Sequence, residues 1–98
     1  MRSKRSNEYT LRGAIEEFLK TFRLEEKLNE SGAIRSWEKV VGPVIARHTL
    51  SLSIRNRVLF VKVDSSALRN ELLFSKENII ASLNGEVGHP VIEDMVLR

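Results

Sequence analysis

The sequence predicts an α+β domain of order α-α-α-β-β-α-β, a small three-stranded sheet covered by helices on one face. Three observations predict it. Leu11, Ala14, Ile15, Phe18, Leu19 and Phe22 recur at helical spacing. Between Leu50 and Val63 the period changes to two, the signature of half-buried strands. From Ser65 the helical period returns, and a last apolar stretch, Val91–Leu97, follows Pro90. Strands and helices segregated along the chain favour one sheet with helices packed on a single face.

The elements follow in order. Residues 1–8 are polar and read as a flexible basic arm, leaving 9–98 as one domain. Thr10 is an N-cap candidate for the first helix. Leu24 and Leu28 continue the pattern into a second short helix. It is expected to stop at the turn-rich cluster Asn29-Glu30-Ser31-Gly32. Ser31 or Gly32 then starts a helix bearing Ile34, Trp37, Val40 and Val41. Gly42-Pro43 breaks it, and because Pro is tolerated in a first turn, a new helical segment can carry Val44, Ile45 and His48.

Leu50, Leu52 and Ile54 alternate with Ser51, Ser53 and Arg55; Leu59, Val61 and Val63 alternate with Val58, Phe60 and Lys62. Asn56-Arg57 between them fits a two-residue hairpin turn, since Asn accepts positive φ; Gly would suit the second position better than Arg57. That turn pairs Arg55 with Val58, Ser53 with Phe60 and Ser51 with Lys62 on one face. On the other it pairs Ile54 with Leu59, Leu52 with Val61 and Leu50 with Val63. Register and apolar pattern agree.

Asp64-Ser65-Ser66 supplies N-cap candidates for a long helix with a buried stripe of Leu68, Leu72, Ile79, Ile80 and Leu83, widened by Leu73 and Phe74. Asn84-Gly85 is expected to end it. In the last strand Glu93 and Asp94 point to opposite faces, so either face can be the buried one.

Composition narrows the function classes. A chain of 98 residues makes one small core. Zero Cys excludes disulfides, thiolate metal sites and Cys nucleophiles. No apolar run is long enough to span a membrane, and no apolar segment follows the first basic residues as a signal peptide requires. A cytoplasmic protein is the expectation. Net charge is +3, with Arg2, Lys4 and Arg5 preceding any acid; the other 13 Lys and Arg balance the 13 Asp and Glu. Such an arm can follow a phosphate backbone or serve only solubility.

The catalytic inventory is thin. His48 and His89 stand in no metal-binding spacing, and His48 reads as a helix C-terminal cap. Ser65-Ser66 lacks the glycines of a nucleophile elbow. Glu16-Glu17 and Glu25-Glu26 splay apart on a helix. No enzyme, metal or cofactor is expected. Gly85-Glu86-Val87-Gly88 matches a G-x-x-G phosphate clamp only in its glycines, because Glu86 would repel phosphate; it reads as a cap and turn. Trp37, at helical spacing with Ile34, Val40 and Val41, reads as core, its indole N–H seeking a partner.

The hairpin face of Ser51, Ser53, Arg55, Val58, Phe60 and Lys62 is the most informative. Left uncovered, it offers Phe60 to a base and Arg55 and Lys62 to phosphates, with Arg57 at the tip extending the patch. Covered by the first helix, the same cations would only fringe a core.

Trp37, Val41-Gly42, Ile45-Ala46 and His48-Thr49 form W-x-x-x-V-G-x-x-I-A-x-H-T. A hairpin follows, then Ser65-Ser66-Ala67-Leu68-Arg69-Asn70-Glu71-Leu72, Ile79-Ile80 and Leu83-Asn84. This order and spacing resembles the DciA-like family of small bacterial proteins over residues 10–98. The resemblance implies a KH-like fold, DNA binding, and a role in loading or operating the replicative helicase without nucleotide hydrolysis. Family members often carry Asp-Gly or similar at the hairpin, where this chain has Asn56-Arg57. Family members in other bacteria carry a disordered C-terminal extension; this sequence ends at Arg98, resembling the short form, for which helicase loading is less secure.

The expectation is therefore a non-enzymatic, nucleic-acid-binding adaptor of bacterial DNA replication. Arg2, Lys4, Arg5, Arg55, Arg57, Phe60 and Lys62 form its contact set, with Arg47 and Arg69 secondary. DNA, single- or double-stranded and without sequence preference, is the expected partner, together with the replicative helicase; neither membrane nor small-molecule substrate is expected. The alternatives are a protein-interaction module docking through Leu73 and Phe74, and an RNA-binding KH-like domain.

Overall fold

The computed structural model describes the backbone of residues 2–98 and the side chains of residues 10–98. The side chains of Arg2, Lys4 and Arg5 lie outside the described residues. The elements are α1 (Arg2–Arg35), α2 (Trp37–Val41), α3 (Pro43–Arg47), β1 (Thr49–Arg55), β2 (Val58–Val63), α4 (Ser66–Phe74), α5 (Lys76–Val87) and β3 (Asp94–Leu97). The result is an α+β fold with a small mixed sheet of order β1-β2-β3. β1 and β2 run antiparallel, and β3 joins β2 in parallel. No helix among the described residues is long and apolar enough to cross a membrane.

Helix boundaries differ from expectation at several points. α1 begins at Arg2, so Thr10 lies within the helix and does not cap it, and the helix expected to run from Ser31 or Gly32 through Val41 is broken at Ser36. α1 passes straight through Asn29-Glu30-Ser31-Gly32 instead of turning there. Asn, Ser and Gly each disfavour a helix by about 0.5–1 kcal/mol relative to Ala. Just beyond them Ala33 and Trp37 are fully buried, and Gly32 faces Val87 of α5. Burying one large apolar side chain contributes ~1.5–3 kcal/mol, so packing on α5 overrides the local preference.

The long helix expected after Ser65 bends at Ser75, dividing into α4 and α5. The bend lets Leu72 and Ile79 both reach the core; it leaves Leu73 and Phe74 exposed, where they were expected to widen the buried stripe. The C-terminal stop falls at Gly88, not at Gly85. Gly88 adopts φ 82, ψ 13 and its N–H donates to the Asn84 carbonyl, the left-handed cap that favours glycine.

Other local signals act as expected. Gly42 takes φ 91, ψ 166, which a side chain would resist, and Pro43 opens α3. His48 is the α3 C-cap, its N–H donating to the Val44 and Ile45 carbonyls. Ser65 caps α4 by accepting from the Leu68 N–H at 3.3 Å. The Trp37 indole donates to Thr49 Oγ1 at 3.0 Å, and Thr49 donates on to the Ile45 carbonyl at 2.7 Å. The Trp-to-Thr signature therefore stitches α2, α3 and β1 together around one core.

That core holds Ala33, Trp37, Leu59, Val61, Val63, Leu72, Ile79, Leu83, Ile92 and Met95. Its strand residues come from one face of the sheet. Ile92 is locked by Asn84, whose side-chain amide donates to the Ile92 carbonyl at 2.8 Å and whose Oδ1 accepts from the Ile92 N–H at 2.9 Å. This clasp fixes the entry to β3. Burial of Met95 and exposure of Asp94 settle which face of the last strand turns inward. β3 is also shorter than the expected Val91–Leu97, because the residues before Asp94 belong to the clasp and turn.

Candidate nucleic-acid interface

The hairpin turn has Asn56 at φ 52 and Arg57 at φ 66, both left-handed as a two-residue turn of this type requires. It sets five of the six expected pairs, from Arg55↔Val58 to Ser51↔Lys62. The sixth is corrected: Val63 pairs with Thr49, and an irregularity leaves Leu50 exposed.

The parallel partner completes the outer face. Phe60 lies beside Val96, and the backbone of Arg98 bonds both Val61 and Val63, placing Arg98 beside Lys62. Three rows result: Ser51, Lys62 and Arg98; Ser53, Phe60 and Val96; Arg55, Val58 and Asp94. Ser51, Ser53, Arg55, Lys62 and Arg98 are exposed, while Phe60, Val58 and Val96 are half-buried. The first helix does not cover this face; its buried residues pack with α2 and α5 on the other side of the sheet.

Phe60 is the centre of the cluster. The Arg55 guanidinium lies 5.7 Å and the Arg98 guanidinium 5.1 Å from its ring centroid. Exposed contacts of this kind are worth ~0.5–1 kcal/mol, little enough to exchange for a stronger anion. Neither arginine, nor Lys62, is paired with an acidic side chain among the described residues. Asp94, the one acid in the three rows, is engaged elsewhere. Lys76 Nζ bonds its Oδ1 at 2.7 Å, and the Met95 N–H donates to the same oxygen at 2.8 Å. The Lys76 hydrogen bond, then the Met95 N–H, hold its carboxyl below the usual value. The face thus presents three cations around one aromatic ring.

Other expected contacts lie elsewhere. Arg57 turns from the sheet face toward the loop before β3, donating to the Pro90 carbonyl and lying 3.5 Å from Glu93. Arg69 is half-buried and donates to the Val63 carbonyl at 3.2 Å. Arg47 is exposed at the end of α3. Arg98 is the residue that sequence reasoning missed. Its signal was the alternation Asp94, Val96, Arg98, which needed the direction of β3 before it could be placed beside Phe60. Among the described residues no group of three or more His, Cys, Asp or Glu could hold a metal ion.

Comparison with known proteins supplies the family. A family model described as "Dna[CI] antecedent, DciA" matches residues 10–97. A UPF0232 protein of Rhodococcus jostii (strain RHA1) is 29% identical over 69 residues, covering 70% of this chain and 37% of that protein. The chain therefore spans well under half the length of that relative. The family match runs from the start of the α1 stripe to the end of β3, taking in the Trp-to-Thr signature and the hairpin residues Arg55, Phe60 and Lys62, and stopping one residue short of Arg98: the chain belongs to the DciA family.

Proposed function

We propose that this chain is a non-enzymatic adaptor of bacterial DNA replication that binds nucleic acid through the open face of its sheet. The observation that carries the reading is Phe60 flanked by Arg55 and Arg98, with Lys62 alongside, on a face no helix covers. A half-buried aromatic ring offers stacking to any base, and unpaired cations offer contacts to phosphate without reading base edges. Strands about 4.8 Å apart make this face roughly 10 Å wide, room for one or two unstacked nucleotides. Single-stranded DNA is the favoured ligand, because a duplex hides its base faces. Arg57 at the hairpin tip and Arg2, Lys4 and Arg5 in the N-terminal sequence extend the charge beyond the platform. Family membership favours the replicative helicase as protein partner.

The test is a fluorescence-anisotropy titration of a labelled oligonucleotide in single-stranded DNA, duplex DNA and RNA forms. Arg55→Glu/Lys62→Glu is expected to abolish binding, while Lys39→Gln, on the helical side, leaves it unchanged. Equal binding by wild type and the double variant sinks the platform. Preference for RNA would move the ligand class to the KH-like RNA-binding alternative. A second reading, a protein-docking module, draws on the 91% exposure of Phe74 beside exposed Leu73. It gains if no nucleic acid binds and Phe74→Ser abolishes helicase capture.

A further inference from the structure

The corners of the outer sheet face are Ser51, Arg98, Arg55 and Asp94. Arg55 and Arg98 lie on one diagonal, and Phe60 sits between them under both guanidinium groups. Asp94 is the acidic corner, on β3 at the hairpin end, and it is exposed. One strand spacing and two residues of rise separate it from Phe60, roughly 8 Å between backbone positions. That is within a Debye length of ~10 Å at 0.1 M salt. A bare carboxylate there would repel the same phosphates that the two arginines attract.

The carboxylate is not bare. Lys76 Nζ lies 2.7 Å from its Oδ1. Lys76 comes from the helical layer: it is the first residue of α5, directly after the bend at Ser75. A cation at a helix N-terminus stands at the unfavourable end of the helix dipole. α5 itself therefore gains nothing from a lysine at this position; the gain lies across the gap, at β3. Among the described residues no other cation pairs with Asp94. Arg55, in the same row, starts two strands away, roughly 10 Å across Val58. Its guanidinium lies over Phe60 instead, 5.7 Å from the centroid. The neighbouring acid, Glu93, is countered by Arg57 at 3.5 Å.

We infer that Lys76 is a positioning residue for the nucleic-acid face: by holding and neutralising Asp94 it keeps Arg55 on Phe60 and the β3 corner free for phosphate. The inference rests on the platform described under the proposed function and adds a residue from outside the sheet to it. Lys76 acts through Asp94 and makes no contact with nucleic acid. Two effects follow from its removal, both in the same direction. The uncompensated carboxylate repels a phosphate beside Phe60. It also attracts Arg55, the cation of its own row that no acid holds, and a salt bridge across Val58 would draw that guanidinium off the ring.

The test is anisotropy titration of a labelled single-stranded oligonucleotide at low and high salt. Lys76→Met is expected to weaken binding roughly three- to tenfold near 50 mM salt, as one uncompensated charge at ~8 Å implies. The gap should narrow as salt screens the carboxylate. Lys76→Arg is expected to bind as wild type does. Asp94→Asn/Lys76→Met should recover wild-type affinity, a rescue that neither a lost phosphate contact nor a damaged fold would show. Lys39→Gln removes a cation paired with Glu86 on the helical side and controls for net charge. Wild-type affinity in Lys76→Met overturns the inference. So does a double variant as weak as Lys76→Met, or an equal loss in Lys39→Gln. The platform is tested separately: unchanged binding by Arg55→Glu/Lys62→Glu sinks it and this inference with it. Loss of binding there with no effect at Lys76 sinks this inference alone.

Discussion

Neutralising the three cations of the sheet face as Arg55→Gln, Lys62→Gln and Arg98→Gln tests the nucleic-acid reading through a number the structure sets. Each phosphate contact on a single strand contributes about 0.7 to the slope of log affinity against log salt. Three contacts give a slope near −2, so raising salt from 50 to 200 mM should weaken the platform's share of binding roughly 20-fold. Each single substitution should flatten the slope by ~0.7, and the triple variant by ~2. Whatever Arg57 and the N-terminal cations add remains in the triple variant as a residual slope. The fold should tolerate these changes. The lost guanidinium–ring contacts are exposed and worth ~0.5–1 kcal/mol each, which lowers the melting temperature by roughly 4–8 °C per kcal/mol in a domain of this size. The assay is anisotropy titration of a short labelled single strand at four or five salt concentrations. A triple variant with the wild-type slope would refute the reasoning, since the phosphates would then be met elsewhere.

Other consequences concern the scaffold. Trp37→Ala should destabilise the domain by ~3–5 kcal/mol, read by urea unfolding, because it empties a fully buried site. Trp37→Phe should cost less and leave the hydroxyl of Thr49, which still donates to Ile45, without its indole donor. Asn84→Ala should cost ~1–3 kcal/mol, as both Ile92 backbone groups lose their partners at once. Asp94 has a folded-state carboxyl held below its ordinary value, chiefly by Lys76. Its contribution is present above the ordinary carboxylate range and is lost as pH falls through the lowered folded value. Thermal melts across that acid range should show a shallower decline for Lys76→Met than for wild type; identical profiles would dismiss the pair's role.

What the sequence determined by itself was local chemistry. Alternation and the tolerance of Asn56 for positive φ were enough to set the hairpin register over five pairs and to put Arg55, Phe60 and Lys62 on one face. Gly42-Pro43 dictated the break between α2 and α3, and Ser65 dictated the start of α4, because each acts through backbone geometry within a few residues. Tertiary structure decided whatever depended on a distant partner. Asn29–Gly32 carried turn propensities of a fraction of a kcal/mol each, and packing of Ala33 and Gly32 against α5 kept α1 helical through them. The bend at Ser75 arose because Leu72 and Ile79 had to reach one core, with Leu73 and Phe74 turned out as a result. Arg98 entered the candidate site only because β3 lies parallel to β2, a choice its own few residues do not encode. The α1 stripe had the helical period of a buried face, yet periodicity records only that a face is apolar. Whether it is covered depends on how far the packed core reaches, and along α1 the buried core begins only at Ala33.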